Sequence, residues 1–181
     1  MEIEEKEITG LIEIFPKVFG DDRGFFLETF HQDRYSKISR DMQFVQDNFS
    51  SSARGVLRGL HFQKPPFSQG KLVQVIQGSA IDVAVDIRKD SITYGKYVKV
   101  LLDSEKRNQF WIPKGFAHGF LALEDNTIFS YKCTNYYNPS SEVTILWNDR
   151  NLQIDWDIDN PIISPKDKEG VLFKDFNTPF I

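Results

Sequence analysis

Three histidines and a single cysteine are the side chains of this 181-residue sequence best suited to moving protons near neutral pH. His61 lies in Gly55-Val56-Leu57-Arg58-Gly59-Leu60-His61-Phe62-Gln63. Read as a strand, this segment puts Leu57, Gly59, His61 and Gln63 on one face and Arg58, Leu60 and Phe62 on the other. A glycine inside a strand marks a bulge or a close approach of backbone to ligand. That setting suits a general base beside a substrate, and equally a hydrogen-bonded structural histidine. His118 closes Pro113-Lys114-Gly115-Phe116-Ala117-His118, a turn feeding a strand. His31, between a Phe-rich stretch and Gln32-Asp33-Arg34, reads as a surface residue. Cys133 alone forms neither an internal disulfide nor a cysteine-based zinc site.

Metal chemistry has little to work with. A divalent transition metal needs at least three good protein ligands. His61, Gln63 and His118 make a poor set, so no metal is expected. Side chains must then do the work: His61 as base, Lys71 as a positive charge, Tyr131 as proton donor and Asp167 as the carboxylate that orients an imidazole. Each has an ordinary alternative. Lys71 begins a strand and is equally a solvated strand end. Tyr131 is equally a barrel residue whose hydroxyl reaches water. Asp167, between Lys166 and Lys168, is equally a surface charge. Spacing alone does not bring them together.

The elements that must position these groups are mostly strands. Aromatic residues make up 14% of the chain, with 16 Phe, 6 Tyr and 3 Trp, and such residues favour half-buried pleated surfaces. Within Ser79–Ile87 a period of two puts Ile81, Val83, Val85 and Ile87 on one face and Asp82, Ala84 and Asp86 on the other. Lys71–Gln77, Tyr97–Leu101, Asn108–Ile112 and Thr127–Lys132 are further strands, punctuated by Gly70, Gly78, Gly95, Gly115 and Gly119. Only Arg34–Ser39 reads as helical. Strands every 8–12 residues with glycine turns indicate a sandwich or barrel. No linker divides the chain, so one domain over residues 1–181 is expected, with an irregular C-terminal wrap from Asn160. The net charge of −4 argues against nucleic acid. No apolar run approaches the ~18 residues of a membrane span. The acidic start Met1-Glu2-Ile3-Glu4-Glu5-Lys6 is unlike a secretory signal, and the expected location is the cytoplasm.

The Pro-x-Gly-x-x-His run ending at His118 resembles the second motif of cupins. The chain as a whole resembles the dTDP-4-dehydrorhamnose 3,5-epimerases, in order from about residue 8 to 168. The matching stretches are Pro16–Glu28, Phe44–Asn48, Gly55–Gln63, Gln69–Val73, Asp82–Arg88, Trp111–Phe120, Tyr131–Tyr137, Trp147–Asp149 and Ser164–Asp167. This resemblance implies an all-β, cupin-type jelly-roll barrel with extra N-terminal strands and few short helices. It implies no metal or organic cofactor, and a homodimer that exchanges N-terminal strands. The implied substrate is dTDP-4-dehydro-6-deoxy-D-glucose, inverted at C3 and C5 to dTDP-4-dehydro-L-rhamnose.

The same resemblance assigns roles. His61 matches the base, Asp167 its orienting carboxylate, Lys71 the group stabilising the enolate oxygen, and Tyr131 the acid on the opposite face. Arg23 and Glu28 match nucleotide contacts made from the partner subunit. Gln46, Asp47 and Asn48 match the stretch lining the thymidine site. Arg58 matches the arginine beside the diphosphate, where a guanidinium fits phosphate geometry. His118, Glu142 and Lys166 match substrate contacts, and Tyr137 the aromatic that stacks on thymine. One departure is Phe49, where many members have His. Relatives with nearly the same residues invert one centre only or act on other nucleotide sugars. A single-centre epimerase, a ketoisomerase and a non-catalytic sugar-nucleotide-binding cupin therefore stand as alternatives.

Overall fold

The computed structural model describes residues 1–181. Strands β1 (Glu2–Glu5), β2 (Ile12–Phe15), β3 (Val18–Asp21) and β4 (Gly24–Leu27) come first, then a one-turn helix, α1 (Gln32–Tyr35). The body runs through β5 (Gln46–Ser52), β6 (Val56–Gln63), β7 (Lys71–Gln77), β8 (Ser79–Asp86), β9 (Tyr97–Asp103), β10 (Gln109–Ile112), β11 (Phe116–Ala122) and β12 (Thr127–Cys133). Two short strands, β13 (Glu142–Thr144) and β14 (Ile162–Ile163), and a second one-turn helix, α2 (Pro165–Lys168), lie in the C-terminal part. No helix is long and apolar enough to cross a membrane.

The pairing is nested. β8 pairs with β9, β7 with β10, β6 with β11 and β5 with β12, all antiparallel. The chain is doubled at the β8–β9 hairpin and the doubled ribbon is wound up, which is the jelly-roll topology. One sheet has the order β1-β2-β10-β7-β12-β5 and the other β13-β6-β11-β8-β9, with β14 parallel to β6; β3 and β4 form a separate hairpin.

Period-two patterning decides which residues face the space between the sheets. Val73, Val75, Phe110 and Phe129 from one sheet meet Ala84, Val98, Val100, Leu102 and Phe120 from the other in one buried cluster. The Phe120 and Phe129 rings stack across the gap, centroids 4.0 Å apart. Burying a side chain of this size contributes roughly 1.5–3 kcal/mol, so this cluster fixes the spacing of the sheets. All eight residues of β8 are buried, because its other face, with Ile81, Val83 and Val85, is covered by Leu152 and Trp156 and by Phe173, Phe176 and Phe180 of the C-terminal wrap. On the outer face of the first sheet Tyr35 and Met42 cover Ile12, Ile14, Leu72 and Trp111.

Two local readings of the sequence are corrected. The helical segment is not Arg34–Ser39 but Gln32–Tyr35, followed by turns. Burial of Tyr35 against Phe30, with ring centroids 5.1 Å apart, fixes its end. The face assignment in β6 also changes. His61 pairs with His118 and Arg58 with Phe120, so two β6 residues, Gly59 and Leu60, oppose the single Gly119. This bulge inverts the alternation. Leu57, Leu60 and Phe62 face the outer cluster, while Arg58 joins His61 on the inner side. Expecting Arg58 opposite His61 fails because period two cannot anticipate an inserted residue.

Only glycine fits the bulge. Gly59 has φ of +140°, and a Cβ there would lie 2.5 Å from Gly119 Cα. Gly59→Ala should therefore destabilise the fold by about 2 kcal/mol or more, lowering the melting temperature by roughly 4–8 °C. A thermal melt that matches wild type would contradict this account of the bulge.

Candidate active site

His61 projects from β6 into the barrel and is held from behind. Its Nε2 lies 2.6 Å from Asp167 Oδ1. Asp167 sits on α2, whose start is fixed by Ser164: the Ser164 hydroxyl accepts from the Asp167 N–H at 3.1 Å, with Pro165 at the first helical position. The Gly59 N–H donates to the other Asp167 oxygen at 3.4 Å. Asp167 is only 3% exposed, so the surface-charge reading of this residue fails. Burial opposes its ionisation, but the hydrogen bond and charge of His61, with the Gly59 and Ser164 bonds, hold it below the usual carboxylate range. An ionised Asp167 takes the Nε2–H of His61 and leaves the Nδ1 lone pair as the basic site.

The facing sheet supplies the other groups. Lys71 begins β7, and Tyr131 lies on the adjacent β12, with the Lys71 ammonium 5.9 Å from the Tyr131 ring centroid. Lys71 forms no ion pair. Desolvation in the barrel lowers its pKa, against the attraction of Cys133, Asp82 and Glu142. Desolvation likewise raises the Tyr131 pKa, so its phenol is protonated at neutral pH. Gln46, Asn48 and Ser50 alternate inward along β5.

A second imidazole–carboxylate pair lies beside the first. His118, directly across from His61 in the ladder, has Nε2 2.8 Å from Asp82 Oδ2. Asp82 is fully buried, and its Oδ1 has no partner. Desolvation lowers the His118 pKa and outweighs the attraction of Asp82; Lys71 and His61 lower it further.

These groups line two adjoining lobes of space between the sheets, both of them lined by His61, Lys71 and Tyr131. One lobe, of about 360 Å³, adds Gln46, Asn48, Gln63, Gln69, Tyr137 and Glu142. The other, of about 300 Å³, adds Ser50, Arg58, His118, Phe120, Lys166 and Asp167. Glu142 ties the mouth together: it accepts from the Tyr137 hydroxyl at 2.7 Å and pairs with Lys166. Burial works against the Glu142 charge, yet these bonds keep its pKa below the ordinary value.

Other residues singled out from the sequence lie elsewhere in this chain. Arg23, at the tip of the β3–β4 hairpin, pairs with Asp21. Glu28 pairs with Arg34 at 2.8 Å. Asp47 points to the outer face of the first sheet and pairs with Lys132 at 2.9 Å. His31 is half-buried rather than at the surface, with Nδ1 unpartnered. No group of three or more His, Cys, Asp or Glu is arranged to hold a metal ion. Sequence reasoning misses Asp82 as the partner of His118 and Gln69 as a cavity residue; Gln63 it places on the face of His61 without giving it a role. The available signal for Asp82 is a carboxylate flanked by Ala80 and Ala84 in the middle of a strand whose opposite face is apolar.

A jelly roll that holds an imidazole–carboxylate pair, an unpaired ammonium and a protonated phenol around one cavity defines an acid–base site for a small polar molecule. Comparison with known proteins makes the class specific. The family model for dTDP-4-dehydrorhamnose 3,5-epimerase matches residues 5–175, and the chain belongs to that family. It is 49% identical over 176 residues to a dTDP-4-dehydrorhamnose 3,5-epimerase from Shigella flexneri, covering 97% of each chain. It is 51% identical over 170 residues to one from Escherichia coli K12, covering 93% of this chain and 92% of the relative. A crystal structure of a dTDP-6-deoxy-D-glucose-3,5-epimerase from Legionella pneumophila, in complex with dTDP-4-keto-L-rhamnose, superposes with a TM-score of 0.93 at 49% identity, over 97% of this chain and 94% of that one.

The His118 environment has a titration signature. Its folded pKa lies below 6.5, so on acidification the unfolded chain takes up this proton first and stability falls. In an NMR pH titration His118 should titrate below 6.5, and lower still in Asp82→Asn, because removing the anion removes the attraction that raises it. An upward shift in the variant would contradict this reading of the pair.

Proposed function

We propose that this chain converts dTDP-4-dehydro-6-deoxy-D-glucose to dTDP-4-dehydro-L-rhamnose, inverting C3 and C5 without a metal or organic cofactor. The observation that carries the proposal is that His61 and Tyr131 rise from opposite sheets into one cavity with Lys71 beside them. A C–H next to the 4-keto group is acidic because its electron pair moves into the carbonyl as an enolate. His61 takes that proton on Nδ1, and Asp167 stabilises the imidazolium. Lys71 faces the oxygen that gains the negative charge, in a site where water screens little. Tyr131 then delivers its phenolic proton to the other face of the same carbon, which inverts it. Solvent returns a proton to the tyrosine and removes one from the histidine. A lone group working from one face would only restore the original centre. Lys166, Arg58 and His118 stand where the sugar diphosphate would be gripped, and Gln46, Asn48 and Tyr137 where the base would lie.

In heavy water, product NMR should show deuterium at C3 and C5. His61→Ala should slow exchange at both carbons by about 10²–10⁴-fold, the usual worth of a positioned base. Tyr131→Phe should keep more of the exchange than of the inversion. Equal loss of both in Tyr131→Phe would remove Tyr131 as the acid, and undiminished exchange in His61→Ala would remove His61 as the base.

We further propose a homodimer with exchanged N-terminal strands, working in the cytoplasm. What supports the dimer is an uncovered apolar surface: Phe19, Phe25 and Phe26 on the β3–β4 hairpin, with Phe49 and Ile76 on the outer face of the first sheet, are all exposed. In such a dimer the hairpin brings Arg23 and Glu28 to the partner's cavity. Light scattering should give a mass about twice 21.0 kDa, and Arg23→Ala should raise KM while sparing kcat. A monomeric mass for active protein would reject the arrangement.

A further inference from the structure

The loop between β12 and β13 carries Tyr136 and Tyr137, both more than half exposed, and belongs to no strand. Its backbone polar groups are nevertheless met one after another by glutamine side chains. Gln69 donates to the Asn135 carbonyl at 2.7 Å. Gln63 donates to the carbonyls of Tyr136 at 3.1 Å and Phe67 at 2.6 Å, and accepts from the Asn138 N–H at 2.6 Å. Gln46 accepts from the Tyr137 N–H at 2.8 Å. These glutamines come from β5, β6 and the approach to β7, and all of them line the cavity. Side-chain amides here do what a neighbouring strand does elsewhere.

The amide of Gln63 is fully committed. One N–H and its carbonyl serve this loop and the other N–H serves Phe67 in the β6–β7 connection, so no donor is left over for a bound molecule. Glutamine also suits the position chemically. A glutamate would set an anion against two carbonyl oxygens, and an imidazole cannot donate twice and accept once at the same end. The loop in turn presents the Tyr137 ring at the cavity mouth, where Glu142 fixes its hydroxyl.

We propose that Gln63 and Gln69 are positioning residues for nucleotide recognition: they hold the loop so that Tyr137 offers its ring to the base of the substrate already in place. The inference rests on the reading that a dTDP-sugar is the substrate and that its base lies along Gln46, Asn48 and Tyr137. Without the amides the loop must be ordered at the moment of binding, and affinity falls while the proton transfers at His61 and Tyr131 are untouched.

The test uses the full-length chain, with dTDP alone as the calorimetric ligand and steady-state turnover of the dTDP-4-keto sugar. Gln63→Leu, close in size but without the amide, should raise the dTDP Kd and the KM about tenfold, the order of one immobilised group, and leave kcat within about threefold. Gln69→Leu removes a single bond and should do the same to a smaller extent, so the proposal does not hang on one variant folding. In a Tyr137→Ala background Gln63→Leu should add little, because its effect passes through that ring. A lowered melting temperature with unchanged Kd and KM would overturn the proposal and leave the glutamines as fold residues. Fully additive losses with Tyr137→Ala would overturn it too. Wild-type protein that fails to bind dTDP would overturn the substrate reading and the inference with it, a failure visible before any variant is made.

Discussion

Each histidine in the barrel is backed by a buried carboxylate, and the polar half of the interior depends on those two bonds. Asp167 and Asp82 are 3% and 0% exposed. An unpaired carboxylate at such depth is prohibitively costly, whereas one accepting from an imidazole N–H is tolerated. Each pair therefore stands or falls together. The pairs differ in one respect that bears on chemistry. The Asp167 carboxylate accepts from His61 and from the Gly59 N–H, while its backbone N–H donates to the Ser164 cap, and its imidazole partner remains a quarter exposed to the cavity. Asp82 keeps one oxygen unpartnered, and His118 is almost completely enclosed. Of the two, His61 is the more open to the cavity, which fits it for the base's role proposed above, with Asp167 placed to stabilise the imidazolium.

The jelly roll supplies the second requirement, two faces. Its nested pairing makes β6 and β11 neighbours in one sheet and β7 and β12 neighbours in the other. The apolar cluster around Phe120 and Phe129 then sets the gap. Groups on opposite sheets are separated by that gap and by nothing else. A planar enolate bound between them has an imidazole on one side and a phenol on the other. The same enclosure sets the charges. Desolvation lowers the Lys71 pKa and raises that of Tyr131, so enclosure keeps the phenol a proton donor. It also leaves the ammonium without a carboxylate partner of its own, which the role proposed for it at the substrate oxygen requires.

How much of this could be read in the sequence depends on how local each feature is. β7 and β8 begin where period-two patterning puts them, since each residue's face is set by its immediate neighbours. Strand alternation puts Arg58 on the wrong face, though the resemblance puts it in the site, because a bulge at Gly59 depends on how β6 meets β11, some 60 positions away in the chain: Phe120 pairs with Arg58. Asp167 looked like a surface charge because Lys166 and Lys168 on either side are indeed exposed. Its burial comes from α2 docking on a strand 106 residues earlier. Composition and spacing carry no trace of that docking. The family resemblance pointed to Asp167 through residue-by-residue matching and not through any physical pattern in the segment itself.

The step that remains is stereochemical. C3 and C5 of the sugar both flank C4, so the negative charge of either enolate rests on the same oxygen. One cation can answer both, provided that oxygen stays near Lys71. If His61 and Tyr131 serve both centres as proposed, they must meet two different carbons, and the ring must turn or slide between proton transfers. His61, Lys71 and Tyr131 line both pockets, so the groups proposed to react are reachable from either side. An anchored nucleotide with a sugar free to re-seat between those groups needs no second set of catalytic residues. For the same reason, one and the same side-chain set serves a single inversion when the ring is held too tightly to turn. On the proposed mechanism, whether one centre or two is inverted would then turn on whether the ring can re-seat between the same groups.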